Sequence, residues 1–126
     1  MIKKIMLFAT IATGLIFNAC NHSDQSEVEL LTGQLALEGI CKNYVLTIES
    51  GSFNENLVEK SWKHPDSGVI YTHAFTMKNV CDLPASIKEG DLFEFTINKD
   101  EKPSDCVICK AYSPTPMKGL YISIKE

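Results

Sequence analysis

The chain has 126 residues, twelve lysines and no arginine against sixteen acids, and a formal charge of −4 at neutral pH. Nucleic-acid binding draws on a basic face and on bidentate arginine contacts to phosphates and bases, so this composition sets a nucleic-acid partner aside. The length allows one compact domain with a modest core.

The chain opens with MIKKIMLFATIATGLIFNAC. Lys3 and Lys4 give a positive start, residues 5–17 form an apolar run, and Ala19 precedes Cys20. That is the three-part layout of an export signal, with an apolar core too short to remain as a membrane span. The segment resembles a bacterial lipoprotein signal, in which the cysteine is acylated and becomes the first mature residue. Phe17 stands where leucine is usual in such signals, and cleavage by the ordinary signal peptidase would instead leave Cys20 as a spare thiol. Cysteine parity favours acylation. Of five cysteines, Cys41, Cys81, Cys106 and Cys109 remain, an even set for an oxidising compartment.

The expected organisation is a signal peptide over 1–19, a lipidated tether over 20–27 and one domain over 28–126. Losing two lysines and no acid with the signal moves the formal charge from −4 to −6. The tether is polar and aperiodic, and His22 within it reads as a solvated residue rather than a ligand. No second apolar run nears spanning length, so membrane contact is expected through the N-terminal lipid, with the outer membrane as the expected address.

From residue 28 the hydrophobic pattern has period two. Leu31, Leu35 and Leu37 share a face in segment 28–37, with Gly33 on the same face, where a bend or bulge is expected. Segment 43–49 (NYVLTIE) alternates Tyr44, Leu46 and Ile48 against Val45, Thr47 and Glu49. Residues 50–56 read as a loop, 57–62 are ambiguous, and 64–68 (HPDSG) form a turn. Segment 69–77 puts Val69, Tyr71, His73, Phe75 and Met77 on one face, with His73 an ordinary strand residue. Residues 82–90 suggest a helical turn or an irregular link, and 91–97 form another strand around Phe93, Phe95 and Ile97. A charged loop follows, then moderate strand character over 106–112, a Pro114/Pro116 break and a closing strand over 119–125. Six or so short strands argue an all-β barrel or sandwich, with Ile48, Phe95 and Ile122 inside.

Two stretches carry a family resemblance. Residues 39–48 (GICKNYVLTI) are similar to the G-x-C-x-x-Y/W-x-I opening of small Bacteroidota-type lipoproteins with an OB-fold-like barrel. Leu83-Pro84, Gly90-Asp91 and the strand after them, the later cysteines and the last alternating strand also fit that pattern. The resemblance implies a small antiparallel OB-like barrel of five to six strands and an anchored protein. It implies no catalytic residues and no cofactor.

The remaining chemistry is in the cysteines. Cys106 and Cys109 have C-x-x-C spacing, but a redox dithiol belongs at a helix N-terminus, and a structural zinc site wants a second close pair. As strand residues, the two would have α-carbons about 10 Å apart at roughly 3.3 Å per residue, too far for a bridge limited to about 7 Å. Each is then expected to pair with Cys41 or Cys81, and spacing leaves both connectivities open. The family pattern, which joins its early cysteine to one just before the last strands, implies Cys41–Cys109 with Cys81–Cys106. No nucleophile elbow, metalloprotease helix or phosphate loop is present. Trp62, Tyr71, Tyr112 and Tyr121 are candidates for lining a ligand groove, weighed against the ordinary reading as core or edge aromatics. Two functional classes follow. One is a non-enzymatic lipid-anchored module that binds a protein, peptide or glycan. The other is a periplasmic thiol–disulfide or metal-binding protein built on Cys106 and Cys109.

Overall fold

A computed structural model describes residues 28–126. The signal over 1–19, the acylation site Cys20 and the tether with His22 lie outside the described residues.

Seven strands form one sheet: β1 (Leu31–Glu38), β2 (Tyr44–Ser50), β3 (Glu59–Lys63), β4 (Ile70–Met77), β5 (Leu92–Ile97), β6 (Gly119–Leu120) and β7 (Ile122–Ile124). Short 3-10 turns at Ile40–Lys42, Glu55–Leu57 and Val80–Asp82 are the helical elements among the described residues. The alternating segments read from sequence are therefore strands. The ambiguous stretch supplies β3, which pairs with β4 across the HPDSG turn. Residues 106–112 are not a strand; they belong to an irregular loop between β5 and β6. The short apolar run there is broken by cysteines and lysine and finds no neighbouring ladder.

The sheet order is β3-β4-β2-β1-β5-β7, antiparallel throughout, with β6 added in parallel beside β4. The ladders shift register at Thr32/Gly33 and again between Leu35 and Leu37, so β1 bends at the expected glycine. A Cβ on Gly33 would stand 2.7 Å from Phe95 Cε1, so only glycine lets the Phe95 ring lie against the bend. Leu31, Leu35, Leu46, Ile48, Phe75, Met77, Phe95 and Ile122 form the core, with the Phe75, Phe93 and Phe95 rings 5.8–5.9 Å apart in sequence of contact. Leu37, beyond the second register shift, is only half-buried.

The sheet is not closed into a barrel. The last chain segment reaches both sides, pairing with β4 through β6 and with β5 through β7, but each ladder is short and they part at Tyr121. Pro114 and Pro116 carry no N–H, which keeps a longer ladder from forming upstream. Where the β4–β6 ladder ends at Met77 and Leu120, the Asn79 side chain takes its place. Its Nδ2 donates to Ile122 O at 2.7 Å, and its Oδ1 accepts from Ile122 N at 3.0 Å. Asn79 is 3% exposed, so the two bonds are made away from water.

On β4 the expected single face is also interrupted. His73 has a left-handed φ of 53°, and beyond it Ala74 and Phe75 are both buried, while Val69 and Ile70 are exposed. Tyr44 beside the hairpin has its phenol pKa raised, first by burial and second by the nearby Glu38 carboxylate.

Candidate functional site

The four cysteines stand as two pairs, Cys41–Cys109 and Cys81–Cys106, with α-carbons 5.1 and 5.9 Å apart. The two members of the C-x-x-C unit thus bond to different elements: Cys109 to the 3-10 turn after β1, and Cys106 to the turn after β4. The strand geometry that suggested this separation is absent, yet the separation itself holds. Cys41 and Lys42 both adopt left-handed φ, 55° and 59°, at the tight link that presents Cys41 to Cys109. Asn43 Nδ2 donates to Ala111 O at 3.0 Å and Cys81 N donates to Ser104 Oγ at 3.3 Å, so the loop is fixed beside each bridge.

The residues that lead from β5 into this loop, Asn98, Lys99, Asp100 and Lys102, form one wall of a cleft of about 580 Å3. Five segments build it: the start of β1, the loop after β2, the turn after β4, the loop after β5 and the terminal strands. Phe53 and Tyr121 supply rings; Asn54 and Asn98 supply amides, with Asn79 buried at the base and its carboxamide taken up by Ile122 and Asp82; Glu29, Asp82 and Asp100 supply carboxylates; Lys99 and Lys102 supply cations. Asp82 Oδ2 accepts from Asn79 Nδ2 at 2.8 Å, and Asn98 Oδ1 accepts from Ser123 Oγ at 2.7 Å, so these polar groups are held in place. Tyr121 lies under Lys78 Nζ, 5.3 Å from the ring centre. No group of three His, Cys, Asp or Glu side chains among the described residues is arranged to hold a metal ion.

The four aromatic candidates do not share one groove. Trp62 and Tyr71 face each other across the β3–β4 ladder, ring centres 5.8 Å apart, with His64 edge-on to Trp62 at 5.6 Å. Tyr112 is 83% exposed on the bridged loop, and Tyr121 lines the cleft. Sequence reasoning missed the amides and acids of the cleft. Asn79, Asn98, Asp82 and Asp100 sit in turns with no motif around them, and only the folded chain brings them together.

A second, smaller cavity of about 380 Å3 opens between β2 and β4, lined by Gln34, Thr47, Ile48, Glu49, Ile70, Tyr71, Thr72 and His73. Thr47 Oγ1 donates to Glu49 Oε1 at 2.7 Å on its floor. Compared with known proteins, the chain matches no family model, no curated protein and no solved structure.

Proposed function

We propose that this protein is a lipid-anchored envelope protein that works as a non-catalytic binding module and takes a polyhydroxylated ligand, a glycan, in the cleft. The observation that carries the reading is the cleft itself. Its volume lies within the range of about 300–1,000 Å3 common to small-molecule sites. Amides and carboxylates suit the paired donors and acceptors of sugar hydroxyls, and Phe53 and Tyr121 offer flat apolar faces for a sugar ring. Three acids against two lysines leave little net charge, which favours a neutral ligand over an ionic one. Anchoring is supported by the Ala19-Cys20 signal and by the likeness to small bacterial lipoproteins.

The thiol-enzyme alternative has less support, because Cys106 and Cys109 are each tied to a different partner and form no shared dithiol. Two experiments test the proposal. Labelled palmitate enters the wild-type protein and not Cys20→Ala, and that variant moves from the membrane to the soluble exported fraction. A thermal-shift screen of glycans finds a ligand that raises the melting temperature, as any binder of the native state must. Membrane retention of Cys20→Ala without palmitate uptake, or a screen without a glycan hit, contradicts the respective half.

A further inference from the structure

The β2–β4 ladder is cut short although both strands continue. It runs from Val45, opposite Thr76, to Thr47, opposite Ala74. Extending the same register would set Ile48 against His73, Glu49 against Thr72 and Ser50 against Tyr71. Instead β2 goes on beside β1 alone, with Ile48 opposite Gly33 and Ser50 opposite Thr32. β4 runs beside β3 alone, with Thr72 opposite Ser61 and Tyr71 opposite Trp62. The parting begins at His73, whose left-handed φ of 53° turns β4 away from β2. The result is a fork in the sheet with the 380 Å3 cavity inside it, and Ile48, Glu49, Tyr71, Thr72 and His73 are on its walls.

Each arm of the fork has lost a ladder partner over three residues, a length of about 10 Å. A row of main-chain donors and acceptors without a partner strand is a template for another extended chain. The side chains add a charge preference. Glu55 is shared by Lys60 at 3.3 Å and His73 at 3.7 Å, whereas Glu49 is exposed and has no ion pair among the described residues. The chain as a whole is acidic, which draws cationic partners toward it.

We infer that the fork between β2 and the β3–β4 hairpin binds an extended polypeptide segment, pairing with its main chain and holding a Lys or Arg side chain against Glu49. The fork and the cleft share no lining residue, although Phe53 of the cleft meets His73 of the fork edge-on at 5.1 Å, and the peptide binds whether or not the cleft takes a glycan.

Selection of a phage-displayed library of random heptapeptides on the full chain tests it. Enriched peptides are expected to carry one basic residue among β-formers. When titrated into the isotope-labelled protein, they should shift the amides of Ile48, Glu49, Ser50, Tyr71, Thr72 and His73. Methylating alternate peptide nitrogens should weaken binding in either phase, because one set of N–H groups faces β2 and the other faces β4. Glu49→Lys should weaken binding roughly tenfold. Glu49→Gln, which keeps an oxygen for the Thr47 hydroxyl and so guards against a folding artefact, should weaken it roughly three-fold. A library that yields no binder, shifts that map to the cleft or elsewhere, or indifference to both N-methylation phases overturns the inference.

Discussion

Replacing Asn79 by Leu probes the side chain that joins the last strand segment to β4. The carboxamide makes two bonds to the main chain of Ile122, a residue with 0% exposure, and a third to Asp82. Leucine has the same branching as asparagine, though it is bulkier, and bonds to none of them. The N–H and C=O of Ile122 then stay buried without a partner, at about 1–3 kcal/mol each. Added apolar burial returns about 1 kcal/mol, leaving a net loss of about 1–5 kcal/mol. Against the about 5–15 kcal/mol typical of a native domain, that is a large fraction. In a domain near 100 residues the middle of that range, about 3 kcal/mol, corresponds to a fall in melting temperature of roughly 12–24 °C.

Asn79→Asp refines the test. One carboxylate oxygen still accepts from Ile122 N, but the other meets Ile122 O and the Asp82 carboxylate where an N–H₂ had donated. Both neighbours favour the protonated form, so the folded-state pKa of the introduced carboxyl is raised above its unfolded value. Its penalty is therefore absent in acid and grows as pH rises through the ordinary carboxylate range. Urea unfolding of both variants at acid and neutral pH measures the effects. An Asn79→Leu variant within about 0.5 kcal/mol of wild type, or an Asn79→Asp variant whose deficit does not grow from acid to neutral pH, would mean that the Asn79 bonds to Ile122 do not hold the seam.

Gly33→Ala places a methyl group 2.7 Å from the Phe95 ring and should cost about 1–3 kcal/mol in denaturant unfolding. Reduction and bridge removal should rank by loop length. In the chain-entropy model the Cys41–Cys109 bridge, spanning 68 residues, contributes about 4.4 kcal/mol, and Cys81–Cys106, spanning 25, about 3.5 kcal/mol. Non-reducing peptide mapping should recover those two pairs and no Cys106–Cys109 peptide. The raised Tyr44 pKa means the neutral phenol is favoured in the folded state. Its contribution is present below the unfolded value of about 10 and is lost as pH rises through the folded value. Glu38→Gln should lower the Tyr44 pKa only in part in a phenolate absorbance titration, because burial, the larger of the two causes, remains.

The strands were legible because alternation is a local signal. Ile48, Phe95 and Ile122 could be placed inside from period two alone, and Gly33 could be marked as a bend because its neighbours continued the pattern on both sides. The fork was not legible. Residues 69–77 alternate without a break, and nothing in VIYTHAFTM announces that His73 will take a left-handed φ. The open seam was equally hidden, since it depends on Asn79 meeting Ile122 across 43 residues. The segment around Cys106 misled for the opposite reason. Val107 and Ile108 have strand propensity, but Val107 is 98% exposed, and the bridges to Cys41 and Cys81 decide the path of the loop. The cleft, assembled from five separated turns and strand ends, carries no sequence motif at all.

Amide chemical-shift mapping of the isotope-labelled protein, titrated with a panel of envelope-type oligosaccharides, tests the functional proposal most directly. A glycan-binding cleft should give a saturable ligand whose shifts gather on Ser52, Phe53, Asn54, Asn98, Asp100 and Tyr121, and Tyr121→Ala should remove the response while leaving the fold intact. A panel that shifts none of these amides, or a saturable sugar whose shifts fall away from the cleft, would contradict it.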